Sequence, residues 1–501
     1  MGSASSKPTH TTMTRDLDEK AAYLDNLNAS KRDAKLPDLP EAMDASLSLG
    51  TVAGWDKDLE NDPTFKLARL VLGSSDPIVS LKNRAAEASD GKIFNVNLKG
   101  VNDKGDYPGP VTNQASSGRC WLFATTNVLR YNVIETAKLG AFQLSQNYLF
   151  FHDKMEKANY YLENMIELVD EPLEGRLVSF LNSAPVGDGG QWDMAYNLVA
   201  KYGVVPQTLY PDGFSATSSS RMGWLLTAKL REYAFAIRAA ARPKDGEAAS
   251  LETLRAMKAK YMREVYRTLC TTLGTPPHPD EKFTWEYYDA DKNYHSWSGT
   301  PKEFYAKFCI RKNMDPKDSF SLINDPRNEY ERHYTVKRLG NVLEAGRVKY
   351  VNAPIEVLED AVIAGIKANT PLFYGCDVGK FSNGTKGIMD TAIYDIPTAY
   401  GFEYGMDKAQ RLVSGESAAT HAMVITAVHV GKDGRPVRYK VENSWSDTSG
   451  EKGWWMMSAD WFRQYVYQVV VPRSIVDKKW AAVLEQEPVE FEPWDPMGAL
   501  A

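Results

Sequence analysis

Residues 114–121 read Gln114-Ala-Ser-Ser-Gly-Arg-Cys120-Trp121. The stretch after them has helical period: over 120–139, Leu122, Leu129, Val133 and Ala137 share one face, and Gly140 is a stop signal. Cys120 therefore stands at a helix start, where unpaired backbone N–H groups and the helix dipole favour a thiolate, the nucleophilic form. Six residues earlier, Gln114 offers a side-chain amide donor suited to holding an oxyanion together with the backbone N–H of Cys120. Taken alone, the same residues fit a free cysteine buried beside a tryptophan.

Much further along, the period changes to two. His421-Ala-Met-Val-Ile-Thr-Ala-Val-His-Val430, the turn Gly431-Lys-Asp-Gly434 and Val437-Arg-Tyr-Lys-Val-Glu-Asn443 predict a β-hairpin. His421 opens its first strand and Asn443 ends its second, so folding brings both to one end, a few residues out of register under simple pairing. A cysteine nucleophile needs a base, and the base needs an orienting partner. His421 and the side-chain carbonyl of Asn443 supply these two roles, with Trp445 placed to screen their hydrogen bond from water.

The remaining chain limits what such a site can belong to. At 501 residues, 43% hydrophobic and 25% charged, it is long enough for two to four domains and has the composition of a globular protein. Its net charge of −6 argues against nucleic-acid binding through overall charge, and no apolar run is long enough to span a bilayer. The four cysteines, Cys120, Cys270, Cys309 and Cys376, are too few and scattered for a disulfide framework or a paired-ligand zinc site. A reduced, intracellular chain without metal or cofactor is the simplest expectation, and any functional cysteine would act alone.

Residues 1–65 read as a partly disordered N-terminal arm. Its start, Met1-Gly2-Ser3-Ala4-Ser5-Ser6-Lys7, fits N-myristoylation of Gly2 and equally fits a small, polar tail; one acyl chain would give only marginal, reversible membrane binding. Asp16, Asp18 and Glu19 argue against a transit peptide, and no signal-peptide core is present. A cytoplasmic location is expected, with mitochondrial location or reversible membrane association left open. Residues 145–168 predict a helix with Ser145 as N-cap. The 215–345 stretch reads as mostly helical, with Leu251, Leu254, Met257, Tyr261, Val265 and Leu269 in a stripe and Lys260, Arg263 and Arg267 opposite. Residues 221–270 carry eleven Arg/Lys and five Asp/Glu, a local +6 that would suit weak nucleic-acid binding or a solvated helix face. Pro488, Pro493 and Pro496 imply an extended end.

The order Gln, Cys, His, Asn resembles the papain-like cysteine peptidases, most closely their bleomycin hydrolase (aminopeptidase C) branch of fungal type. The resembling stretches are Ser116-Ser-Gly-Arg-Cys-Trp-Leu-Phe-Ala124, Leu144-Ser-Gln-Asn-Tyr-Leu-Phe-Phe151, Gly189-Gly-Gln-Trp-Asp-Met194 and Lys201-Tyr-Gly-Val-Val-Pro206. They continue with Leu322-Ile-Asn-Asp-Pro-Arg327, Gly375-Cys-Asp-Val-Gly-Lys380, Gly415-Glu-Ser417, Thr420-His-Ala-Met423 and Trp494-Asp-Pro-Met-Gly-Ala-Leu-Ala501, covering roughly residues 66–501. The chain departs from the wider papain pattern twice. Ser and Arg precede Cys120 where secreted enzymes usually carry a disulfide cysteine, and Ser446 replaces the usual Gly after Asn-Ser-Trp.

The resemblance implies an α+β, papain-like two-subdomain fold: a helical part over 66–214 with Cys120, and an antiparallel, barrel-like β part over 346–487 with His421 and Asn443. Cys120 and His421 are 301 residues apart, against the ~130–150 of a minimal enzyme, which makes 215–345 a large helical insertion. In the family such an insertion builds a homohexamer. The resemblance also implies that the 488–501 arm lies in the cleft, where the carboxylate of Ala501 binds the α-ammonium of peptides with free N-termini. Gly189 and Gly190 fall where related enzymes let the substrate backbone approach. The implied activity is that of an aminopeptidase which also hydrolyses bleomycin and homocysteine thiolactone. A papain-like endopeptidase with an inert tail is the alternative.

Overall fold

Two local signals open the described chain. Ser48 accepts the N–H of Thr51 at 3.0 Å and caps α1 (Leu49–Asn61). Asp62 then ends that helix and caps α2 (Pro63–Leu72) by accepting the N–H of Thr64 at 2.8 Å, with Pro63 in the first helical position. The computed structural model describes residues 45–88, 91–99, 111–311 and 315–500, so Gly2 and Ala501 lie outside the described residues. These two helices belong to a compact unit that ends at Ser75; residues from Asp76 onward form a second. The arm expected over 1–65 is thus helical from residue 49, and its boundary falls ten residues later, because caps outweigh an unremarkable polar composition.

In the second unit, α3 (Cys120–Ala137) and α4 (Gln146–Glu167) are followed by α5 (Arg176–Ser183), α6 (Trp192–Tyr202), α7 (Ser220–Ala241) and α8 (Leu251–Leu273). Ser145 caps α4 as expected, accepting the N–H of Tyr148 at 3.1 Å. Helix α3 is buried on nearly every side, Thr126, Asn127, Arg130 and Asn132 included, so the four-residue face read from its sequence was too narrow. It stops at Lys138, whose φ of 52° is left-handed, two residues before Gly140.

Strands β1 (Val96–Asn97), β2 (Phe283–Tyr288), β3 (Tyr294–Gly299), β4 (Ser319–Ile323), β5 (Arg332–Val336), β6 (Tyr350–Asn352) and β7 (Leu372–Cys376) come next in order of type, with α9 (Ile355–Lys367) before β7. They are completed by β8 (Ser382–Asn383), β9 (Ile388–Met389), β10 (His421–Val430), β11 (Pro436–Glu442), β12 (Trp454–Ser458), β13 (Val466–Pro472) and β14 (Val489–Phe491). One sheet runs β14-β5-β6-β4-β13-β7-β10-β11-β12-β9-β8, with β1 also paired to β10. Its centre, β4 to β12, is antiparallel, while β14–β5, β4–β6 and β12–β9 are parallel pairings. Helices and sheet share one core, an α+β architecture in which α3 packs on β10.

The 215–345 stretch departs from its helical expectation. The long helices end at Leu273, and short helical turns at Pro301–Phe304, Tyr305–Cys309 and Pro316–Asp318 follow; β2 and β3 form a hairpin, and β4 and β5 join the main sheet. The aromatic run Phe283-Thr-Trp-Glu-Tyr-Tyr288 favours a strand, with only Trp285 fully buried. In β4, Phe320, Ser321, Leu322 and Ile323 are all buried, so there is no alternation to read. Among the described residues, no helix is long and apolar enough to cross a membrane.

Candidate active site

Cys120 is the first residue of α3, and the backbone N–H groups of Ala422, Trp121 and Cys120 itself lie near its sulfur and favour the thiolate. His421, one residue before Ala422, opens β10 opposite Cys376 of β7. The sheet therefore carries the imidazole to the start of α3. His421 Nε2 lies 2.9 Å from Asn443 Oδ1, which also accepts the N–H of Ser444 at 2.8 Å. An atom that accepts one N–H is an oxygen, so His421 carries its proton on Nε2 and keeps the Nδ1 lone pair. A bulge between Ile425 and Ala427 shortens the hairpin mismatch by one residue; with Val424 opposite Glu442, Asn443 still lies two positions from His421, and the side chains span the difference. Trp445 stacks at 4.8 Å from the His421 ring, tilted 35°, and is itself met edge-on by Trp455 at 5.4 Å.

Both candidate groups are buried, Cys120 being 3% exposed and His421 likewise. Burial pushes the Cys120 thiol up to about 11, against the lowering effect of its three N–H donors. Burial also lowers His421 to about 4, with the Asn443 bond opposing. Burial thus opposes the charged form of each group, against the pull of the helix start toward a thiolate.

Gln114 reaches this site through a short ladder. Its N–H donates to Ser444 O at 2.8 Å, Asn113 pairs with Trp445, and the Ser446 N–H donates to Thr112 O at 3.2 Å. The Ser444 hydroxyl donates to Gln114 Oε1 at 2.7 Å, and Gln114 Nε2 donates to Ser117 O at 2.6 Å. Nε2 carries two hydrogens, so a second donor remains. Ser444 was missed in the sequence, although it sits inside the Val-Glu-Asn-Ser-Trp stretch. Ser446 has φ of 64°, the left-handed conformation that explains why Gly is usual there; its hydroxyl accepts the N–H of Thr448 at 3.2 Å.

A buried ionic frame, also missed, holds the cysteine loop. Arg119 is 0% exposed, forks onto both oxygens of Asp212 at 2.9 Å and packs over Phe123 and Phe150. Asp188 accepts the Gly118 N–H at 3.0 Å, the Ser219 hydroxyl at 2.5 Å and Lys154 Nζ at 2.6 Å, while its backbone oxygen accepts Trp121 Nε1 at 2.7 Å. Burial alone would raise the Asp188 carboxyl, yet Lys154 and these donors hold it well below the usual range. Lys157 Nζ donates to the carbonyls of Gly187 and Gly189 and pairs with Asp153 at 2.8 Å. Below the histidine side, Arg130 and Glu442 form a buried pair.

The other expected positions fall as follows. A Cβ on Gly190 would stand 2.6 Å from the Trp121 ring, so Trp121 accounts for this glycine; Gly189 contributes its carbonyl to Lys157. Ala501 and Gly2 lie outside the described residues, but the tail next to Ala501 is placed. Gln191 Nε2 donates to Ala499 O at 2.6 Å, which sets the arm one residue from Gly190 and its Trp121 contact. Among the described residues no cluster of acidic, His or Cys side chains could hold a metal ion.

Comparison with known proteins agrees with this geometry. The model of the Peptidase C1-like family matches residues 46–498. "Cysteine proteinase 1, mitochondrial" of Saccharomyces cerevisiae is 40% identical over 466 residues, covering 92% of this chain and 94% of its own. Human "Bleomycin hydrolase" is 39% identical over 465 residues, covering 91% and 99%. The crystal structure of PepW from Lactobacillus rhamnosis HN001 superposes with a TM-score of 0.86 at 38% identity, covering 92% of this chain and all of that one.

Proposed function

The chain belongs to the Peptidase C1-like family and is a cysteine peptidase of the bleomycin hydrolase type, and from that premise we propose that it releases N-terminal residues from peptides, with Cys120 as nucleophile, His421 as proton carrier and Asn443 as its orienter. The observation that supports the reading is that Ala422, the residue after His421, brings its backbone N–H to Cys120 while His421 Nε2 meets Asn443 Oδ1 at 2.9 Å. Cys120 sulfur attacks the scissile carbonyl carbon as His421 Nδ1 takes the thiol proton. The oxyanion is held by the second Gln114 N–H and the backbone N–H of Cys120. His421 passes its proton to the leaving amine, leaving a thioester. Water, losing a proton to His421, then displaces the sulfur to give the carboxylic acid. Trp445 keeps the His421–Asn443 bond dry throughout.

The arm supplies selectivity: the Ala501 carboxylate pairs with the substrate α-ammonium and blocks longer chains on that side. Bleomycin and homocysteine thiolactone are further substrates under this reading, and the working assembly is a homohexamer, which light scattering tests. Cytoplasmic location, with or without a single acyl group on Gly2, is read out by fractionation of the wild type and Gly2→Ala. An N-blocked and an unblocked peptide, assayed on wild type and Cys120→Ala, test class and nucleophile together. Cleavage of the blocked peptide by wild type would instead favour an endopeptidase with an inert tail.

A second reading has its own support. Of the eleven basic residues in 221–270, six are engaged internally, including Arg255 and Lys258 on buried Glu163 and Arg238 on the Leu168 carbonyl. Among the described residues, the Lys260, Arg263 and Arg267 side chains make no hydrogen bond or ion pair, and their spacing aligns them along α8. Weak binding of single-stranded nucleic acid there predicts salt-sensitive retention of Cys120→Ala on a DNA column; passage at low salt would remove the reading.

A further inference from the structure

The last twelve described residues are a built element. Strand β14 pairs in parallel with β5, Phe491 stacks on Tyr334 at 4.8 Å, and Lys337 pairs with Glu492 at 2.6 Å. Trp494 then lies under the Arg176 guanidinium at 4.1 Å. At the next residue the arm meets its strongest contact. The Arg327 guanidinium bonds Asp325 through Nε and one terminal nitrogen at 2.9 and 2.8 Å, and Asp495 through both terminal nitrogens at 2.8 and 3.3 Å.

This clamp has one fixed jaw and one that belongs to the arm. Asp325 is 0% exposed; it also accepts Asn328 Nδ2 at 2.8 Å, and its N–H donates to Asn352 Oδ1 at 2.9 Å. Asp495, beyond the clamp, caps a single tight turn: its carboxylate accepts the N–H of Met497 at 2.9 Å, and its carbonyl accepts that of Gly498 at 2.8 Å. The turn transmits the clamp position to Ala499, whose carbonyl meets Gln191. Beneath the end lies a cavity of about 150 Å³ bounded by Leu500, Phe180, Met194 and Lys157, so packing alone does not fix where the chain terminates.

We propose that Arg327 is a positioning residue for N-terminal selectivity: by gripping Asp495 against buried Asp325 it sets how far the end of the chain enters the cleft. This rests on the reading that the arm excludes blocked substrates. Docking of the arm is an intramolecular equilibrium, so weakening the grip raises the fraction of open clefts in proportion, without touching Cys120, His421 or Asn443.

The test uses the full chain, a variant ending at Ala499, and Asp495→Asn, which keeps the cap on Met497 but loses the charge. An N-acetylated peptide and its free-amine twin are the substrates. Asp495→Asn is expected to raise the blocked-to-unblocked ratio of kcat/KM about tenfold, with KM for the free amine rising and kcat within about twofold. Arg327→Lys, which leaves a cation on Asp325 but no fork, should move the ratio the same way and serves if Asp495→Asn folds poorly. If the Ala499-ending chain rejects the blocked peptide, the arm reading falls and this inference with it. If that chain cleaves it while both point variants keep the wild-type ratio, or lose kcat on both substrates equally, Arg327 has no such role.

Discussion

The two halves of the site are held by different forces. The histidine half is set by strand pairing: His421 opposite Cys376, a bulge at Ile425, and a ladder from Thr112 to Ser446. Its polar contacts near the imidazole are neutral hydrogen bonds. The cysteine half is a loop with only isolated bridges, Asn113 with Trp445 and Ser116 with Ser218, and beyond them buried charges hold it: Arg119 with Asp212, Lys154 with Asp188, and Lys157 with Asp153. A sheet distributes positional precision over many weak bonds, so single losses are tolerated. A loop concentrates it in a few ionic contacts, and breaking one leaves an uncompensated buried charge.

Loss of the proposed nucleophile sets the scale. Cys120→Ala should lower kcat/KM on a free-amine peptide by more than ~10³-fold with stability little changed. Lys154→Met sharpens the contrast, because Lys154 is fully buried and its removal strands Asp188; urea unfolding should show a loss of about 3–5 kcal/mol. Next comes pH. His421 is lowered to about 4 in the folded chain, so the unfolded state binds the extra proton between about pH 6.5 and 4 and stability falls as pH drops through that window. The cost reaches about 3 kcal/mol near pH 4, and His421→Gln should flatten the slope by about one proton. Buried His152, lowered to about 3 by its own desolvation, leaves part of the slope in place.

Asn443→Ala probes the sheet-held half. It removes the bond on Nε2 but no charge, so kcat should fall about 100-fold while stability changes by only ~1 kcal/mol. A stability loss as large as that of Lys154→Met would break the comparison. The smallest effect belongs to Ser446→Gly, which relieves a left-handed serine at the cost of the Thr448 contact; a gain of about 0.5 kcal/mol is expected from chemical denaturation.

What was legible in the sequence follows the same division. The start of α3 and the β10–β11 hairpin announce themselves by period and turn residues, and Gln114, Cys120, His421, Asn443 and Trp445 all converge on one place. The ionic frame leaves no local pattern: Arg119 and Asp212 are 93 residues apart, and each alone resembles a surface charge. The β2–β3 hairpin and strands β4 and β5 were hidden inside a stretch read by its helical beginning. The burial that opposes a Cys120 thiolate leaves no local pattern either, because the neighbours that bury it arrive from β7 and β10.

Arg119 stands directly before Cys120, and Asp212 gives it a fixed mate. All four cysteines are free. A thiol catalyst survives best in the presence of reductant, which is also what cuts a covalent staple. Tethering the loop by charge removes that conflict: conditions that keep Cys120 from oxidising leave its scaffold untouched, and after unfolding the tether re-forms with no bond to reshuffle.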